Sequence, residues 1–427
     1  MSKNKLALNQ QHIILKRALV TLAITITYVV LTEIPLPYLN VVIIGKLMQN
    51  PKLKVLQVLT LMTGGSLQQG SLMMAGLMPF IMVQFAIQIL QVGISKKMKE
   101  LSESSNGAKK IGQLTKLITF PLALIQSGFT LLMLQKLTNG NAIVNGHLPF
   151  ALVLIYLTVL ISVGTMLAIW ISDLNTLYGL GMGLNYLVSV SIIVNMIENA
   201  HFNFSGLHKM FAKFGPKLWI IVIIALLVFV LYNAVCIWYQ SSNYEMPIQF
   251  AQLDSSVDKT GKLPFTMNIA NVMPVILAGM LMNILYALNL FHSQTMQELF
   301  NFKSWSSIAT YTVVLILFTF AFTYIQYYPK KLDDGLDRMN AYIIGVDPTL
   351  ATIKFFNKSL IYLASLNSLF FVIMVIIPMI ICKLIGLPES MVLSVSSVII
   401  VVTTEADIRR QIVGLHAKEL KSNLFVK

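Results

Sequence analysis

The sequence predicts an all-α polytopic membrane protein with ten transmembrane helices in two inverted five-helix halves. Three observations carry this. Of 427 residues, 56% are hydrophobic and 11% charged, with mean hydropathy +0.75, whereas soluble domains are roughly a quarter charged. Apolar runs long enough to cross the roughly 30 Å hydrocarbon core recur along the whole chain. A short pattern of apolar, Met, Pro, apolar, Ile occurs twice, as LMPFI at 77–81 and VMPVI at 272–276.

The runs place spans near 17–35, 71–92, 116–135, 148–170, 178–198, 217–238, 265–291, 308–327, 358–382 and 388–405. With the N-terminus inside, the cytoplasmic segments carry 22 of the 31 lysines and arginines, so the positive-inside rule puts both termini in the cytoplasm. The net charge of +14 then orients the chain, and no nucleic-acid partner is needed to explain it. The first run, from Ala18, is one of many and has no small-residue cleavage site behind it, which argues against a cleaved signal peptide. Cys236 and Cys382 are far apart in sequence and suggest neither a disulfide framework nor a metal site.

Between the first two spans, KLKVLQVLTLMTGGSLQQGS (52–71) is apolar but too short to cross. It reads either as an interfacial helix or as a segment folded back into a cavity, where protein or water covers its backbone. Two longer hydrophilic loops, 239–264 and 328–357, face the cytoplasm and are the natural docking surface for a partner. SSNYEMPIQFAQL in the first alternates as a short hairpin would.

The Met-Pro copies fall in the second span of each half, 1–200 and 201–427. Five crossings duplicated in tandem must be inverted, because an odd number swaps sides. Inverted repeats with broken helices mark transport proteins whose sites lie near the midplane. Ile81 lies 10 residues past Ser71 and Ile276 lies 11 past Phe265. At 1.5 Å per residue, both come out roughly 15–17 Å deep, approached from opposite sides. A proline inside either helix would cost roughly 3 kcal/mol, so a bend there needs a purpose.

The span interiors hold almost no charge. Glu33, Asp173 and Glu198 sit near span ends, whereas Gln84, Gln88, Gln126, Asn185, Asn268, Asn271 and Asn283 lie within. Such amides commonly hydrogen-bond between helices. A charge-free path narrowed by isoleucines acts as a hydrophobic constriction that blocks ions by dewetting, which suits a channel for something large and variable. A secondary transporter or lipid flippase on the same scaffold is the alternative. Catalysis, cofactors and metals find no support: six scattered histidines form no H-E-x-x-H, and no nucleotide-binding motif is present.

These residues resemble the SecY protein-conducting channel family over nearly the whole chain. The resemblance rests on IPLP (34–37), GGSLQQGSLMMAGLMPFIMVQFAIQIL (64–90), GTMLAIWISDLNTLYGLGMGLN (164–185) and LPFTMNIANVMPVILA (263–278), in the family's order. It implies a passive bacterial channel in the cytoplasmic membrane, gated laterally towards lipid and driven by a separate SecA-type ATPase. Small Sec subunits or accessory Sec proteins and a secreted preprotein would be its other partners. The apolar pore ring falls on Leu77, Ile81, Leu180, Leu184, Ile276 and Ile400. Each close pair, 77 with 81 and 180 with 184, shares one face if the helix is regular there. Pro79 and Pro274 would bend the helices flanking the lateral exit. The plug would be the segment at about 55–67, with Leu56, Leu59, Leu61, Met62, Gly64 and Gly65. Gln88, Gln126 and Asn268 match polar positions near the lateral gate.

Two departures resemble the accessory SecY paralogues of Gram-positive bacteria, which export large serine-rich glycosylated adhesins with their own accessory SecA. The 239–264 loop lacks the family's arginines before its strand. In the second loop Gly345-Val346-Asp347 carries Asp347 where the family has a motor-contact arginine. Asp347 and Arg338 are the candidate motor contacts, and a housekeeping SecY is the alternative.

Overall fold

Within a bilayer a helix satisfies its own backbone hydrogen bonds, and each of the ten expected spans contains one. The computed structural model describes residues 2–48, 66–67, 69–91, 106–144, 148–197, 217–250, 260–289, 305–347, 350–385 and 389–424. The elements are α1 (Ser2–Glu33), α2 (Val41–Met48), α3 (Met78–Ile89), α4 (Gly107–Leu137), α5 (Phe150–Tyr178), α6 (Gly183–Ile197) and α7 (Lys217–Ser241). Strands β1 (Asn243–Phe250) and β2 (Thr260–Thr266) come next, then α8 (Met273–Asn289), α9 (Trp305–Gln326), α10 (Pro329–Arg338) and β3 (Ala341–Ile343). The chain ends with α11 (Leu350–Phe371), a π-helical turn (Val372–Ile376), α12 (Ile377–Ile385) and α13 (Glu389–Leu424). Among the described residues five helices are long and apolar enough to cross a membrane, including Ile14–Glu33, Lys109–Leu137 and Ala351–Ile381.

The chain forms two compact units, Met1–Ile224 with Ile400–Lys427, and Ala225–Ile399. In the first, α4 packs on α3 and α5, and α5 packs on α1. Small residues let α4 and α5 approach. Gly128 would meet Thr158 at an ordinary 3.7 Å if it carried a Cβ, and Ser127 Oγ lies 3.3 Å from Ser162 Oγ. Gly164 of α5 faces the carbonyl of Leu72 so closely that an added Cβ would sit 2.0 Å from that oxygen. Residues 69–77 therefore form a tightly seated set of turns. Leu36 N–H donates to Gly70 O (2.9 Å), Leu72 N–H to Ile34 O (3.0 Å), and Ser66 Oγ to Met73 O (2.8 Å).

The second unit combines helices with a three-stranded antiparallel sheet ordered β2-β1-β3. The hairpin expected in 239–264 forms, with Tyr244 opposite Phe265 and Ile248 opposite Gly261. Met246 and Ile248 of β1 alternate inward onto Phe265, Leu336, Ile343 and Phe356. Two hydrophilic loops that are remote in sequence thus share one small core. In α10 the pair Leu332 and Leu336, four apart, packs against that core.

The π-helical turn has an identifiable cause. Pro378 has no N–H to give to the carbonyl four residues back, that of Met374. The Tyr232 hydroxyl of α7 donates to that freed carbonyl instead, at 3.1 Å. The expected span at 358–382 is accordingly α11, the π turn and α12 in series.

Candidate channel constriction

The two Met-Pro copies are helix starts. Contrary to the expected bends, Pro79 is the second residue of α3 and Pro274 the second residue of α8. At these positions the missing N–H has no intrahelical partner to lose, and the fixed φ favours helix initiation. The first helical bonds follow in parallel: Ile81 N–H donates to Leu77 O (3.1 Å) and Ile276 N–H to Val272 O (3.2 Å). Leu77 precedes α3, so the regular helix assumed for the 77/81 pair begins one residue later. The depth count from Ser71 likewise fails, because 71–77 is turn and does not rise 1.5 Å per residue. Leu77, Ile81 and Ile276 are all buried.

Leu180 and Leu184 do not share a helix face either. Residues 179–182 interrupt the chain between α5 and α6, which leaves Leu180 outside both and Leu184 within α6. The alternating glycines explain the break. Gly181 has φ +82, and a Cβ at Gly183 would lie 1.8 Å from Ser172 O. Side chains take over the turn's backbone groups. Arg17 donates to Gly179 O (3.3 Å), Leu180 N–H to Thr21 Oγ1 (2.8 Å), Asn175 Nδ2 to Leu180 O (3.1 Å), Gly183 N–H to Thr176 Oγ1 (3.0 Å), and Gly181 N–H to Gln411. Leu180 is 8% exposed and Leu184 half-buried.

Ile400 lies inside α13 at 6% exposure. Its carbonyl accepts from Thr404 Oγ1 (3.0 Å) and Ser189 Oγ (3.4 Å), and the two hydroxyls are 2.5 Å apart. Nearby, Asn185 Nδ2 donates to Asp407 (3.2 Å), which also faces Arg410 (3.8 Å).

Of the polar gate candidates, Gln88 is half-buried on α3 and Gln126 half-buried on α4, helices that pack together. Asn268 is 5% exposed, just before α8. Interhelical bonding accounts for Asn185, but Gln84 Oε1, Gln126 Oε1 and both amide atoms of Asn268 are buried without a hydrogen-bond partner. Arg338 ends α10 and Asp347 follows Gly345 (φ +83). Both are exposed. The plug candidates Leu56, Leu59, Leu61, Met62, Gly64 and Gly65 lie outside the described residues.

Sequence reasoning missed a set of hydroxyl contacts tying α6 to its neighbours. Tyr28 OH lies 2.8 Å from Ser191 Oγ and Thr25 Oγ1 2.7 Å from Tyr186 OH, beside the Ser189–Thr404 pair. Serines at 189 and 191 in a short apolar helix were the only signal, and it names no partners. The Lys116–Asp173 ion pair between α4 and α5 was equally invisible.

Known proteins resemble this chain over most of its length. The SecY family profile matches residues 71–408. The protein translocase subunit SecY 2 of Lactobacillus kefiranofaciens subsp. kefiranofaciens is 28% identical over 92% of this chain and 96% of its own. SecY 1 of the same organism is also 28% identical, over 93% and 94%. SecY of Streptococcus gordonii is 28% identical over 93% and 92%. Among solved structures, a protein-conducting channel gives a TM-score of 0.60 at 15% identity, covering 94% of this chain and 93% of the other. Sec61 in the canine ribosome-channel complex gives 0.56 at 15%, with the same coverage. At these identities the structural likeness speaks for the fold.

Proposed function

The chain belongs to the SecY family of non-enzymatic, multi-pass channel subunits of Sec translocases, and we propose that it serves an accessory Sec system. Members of this family work with SecA and small Sec subunits. On the accessory reading the motor is a dedicated accessory SecA and the passengers are large serine-rich glycoproteins.

The observation that carries the accessory reading is Asp347. It stands exposed beside Gly345, in the loop position where the resemblance implies a motor-contact arginine. A carboxylate there repels the acidic surface that an arginine would attract, so a motor fitted to it must differ in charge. The exposed end of α10 at Arg338 and the sheet beneath it give that motor a firm platform.

The rest of the reading follows the family. Leu77, Ile81, Leu180, Leu184, Ile276 and Ile400 form the apolar ring, 55–67 is the plug, and Gln88, Gln126 and Asn268 ease lateral opening. The unpartnered amide atoms of Gln126 and Asn268 support that gate role, since a polar group left unpaired in the closed state lowers the cost of parting it. Halves 1–200 and 201–427 are inverted, with both termini in the bacterial cytoplasm.

The test is export into inverted membrane vesicles supplied with either accessory or housekeeping SecA. Accessory SecA should support export, and Asp347→Arg should lower it about tenfold, the effect of ~1.4 kcal/mol in a contact. Equal or better export with housekeeping SecA overturns the accessory reading and leaves the housekeeping channel.

A further inference from the structure

We propose that Thr21, Asn175, Ser189 and Thr404 are positioning residues for the constriction, holding the backbone of Leu180 and Ile400 at fixed height through side-chain hydrogen bonds. The inference rests on the ring reading above and deepens it.

Leu180 belongs to no helix, so no ladder fixes it. Two side chains replace the ladder: its N–H donates to Thr21 Oγ1 at 2.8 Å, and its carbonyl accepts from Asn175 Nδ2 at 3.1 Å. Both groups are themselves buried, Asn175 completely. Thr21 uses its one proton on Arg17 O (2.9 Å), which leaves the oxygen free to accept from Leu180. The fit leaves no slack. A Cβ at Gly179 would lie 2.2 Å from Asn175 Oδ1 and 2.7 Å from Thr21 Oγ1.

Ile400 is held differently. A buried threonine in a helix ordinarily bonds its own carbonyl four residues back, as Thr319 does to Leu315 O (2.7 Å). Thr404 does this to Ile400 O, and Ser189 of α6 adds a hydroxyl 2.5 Å from Thr404 Oγ1 and 3.4 Å from the same carbonyl. With one proton each, Ser189 donates to Thr404 and Thr404 to Ile400 O in a consistent arrangement. That chain couples Ile400 to α6, the helix that carries Leu184.

A hydrophobic seal depends on its narrowest radius, so a backbone shift of an ångström at one ring residue opens a wetted path. Ordinary packing would tolerate that shift; a seal would not.

The test is the resting ion conductance of the purified channel complex in planar bilayers, without motor or preprotein, for Thr21→Val, Thr21→Ser, Ser189→Ala, Thr319→Val and Leu180→Asn. Thr21→Val and Ser189→Ala should each raise the conducting fraction about fivefold, the effect of one lost hydrogen bond. Thr21→Ser should restore the closed level. Thr319→Val, which removes an equally buried hydroxyl bonded only within its own helix, should leave it unchanged. A rise with Thr319→Val as large as with Ser189→Ala overturns the proposal, since general loosening would then explain both. Leu180→Asn separates the two readings. If it leaks and neither Thr21→Val nor Ser189→Ala does, positioning fails and the ring stands. If Leu180→Asn does not leak, the ring assignment fails and the positioning role falls with it. Should Thr21→Val not accumulate, Ser189→Ala decides.

Discussion

A single glycine lets the turn at Leu72 sit against α5. Gly164 brings α5 against the Leu72 carbonyl, where an added Cβ would lie 2.0 Å away, and the backbone there is pinned to Ile34 and Leu36. Gly164→Ala must displace backbone, so it should cost about 1–3 kcal/mol or more, the range for overpacking. Gly128→Ala meets Thr158 at 3.7 Å and should be nearly neutral. Thermal unfolding of both variants in detergent checks this: a lower midpoint for Gly164→Ala alone is expected, and equal midpoints would contradict the close approach. None of this was legible in the sequence. Gly164 in SVGTML looks like any small residue in a span, and a glycine's value lies in what faces it. Thr21 and Ser189 were hidden for the same reason. A hydroxyl in an apolar run has a default bond to its own helix, and only the neighbours reveal a second one.

At the scale of elements, the Met-Pro pattern was found in the sequence but assigned the wrong local role. Proline in an apolar run reads as a kink when the run is taken for one continuous helix. Non-helical turn runs to residue 77, which turns the same proline into a favourable first-turn residue of α3. The hairpin of 239–264 was legible because alternation is local, whereas its third strand comes from nearly a hundred residues later.

Away from the core that its leucines share with that sheet, α10 carries Asp333, Asp334 and Asp337. Partial desolvation first, then the charges of Asp337 and Asp334, raise the Asp333 carboxyl above its usual 3.8. The folded state therefore binds this proton more readily than the unfolded chain. Its contribution to stability is fully present below the unfolded value and is lost as pH rises through the folded one. Asp333→Asn should stabilise the protein at neutral pH and flatten its stability profile across the mildly acidic range. Denaturation curves at stepped pH measure this, and an unchanged slope would refute it.

For the whole molecule, the family match and the ring reading together predict where a passenger runs. With Cys236 and Cys382 removed, a single cysteine placed at Ile81 or Ile276 should form a disulfide with a cysteine probe in a stalled secretory chain, in native membranes and only while the motor hydrolyses ATP. No adduct at either position, with expression intact, would remove both residues from the path.

Sequence alone determined the multi-span helical class, the succession of apolar runs and the family, because each is carried by composition, by runs of local residues or by motifs in order. The tertiary structure decided where helices begin, at Met78, Gly183 and Met273, and which side chains hold Leu180 and Ile400. Those outcomes depend on partners up to 230 residues away along the chain, as between Gly181 and Gln411. In an apolar run many registers bury hydrophobic surface equally well, and only packing selects the one in which each buried hydroxyl and carbonyl finds its mate.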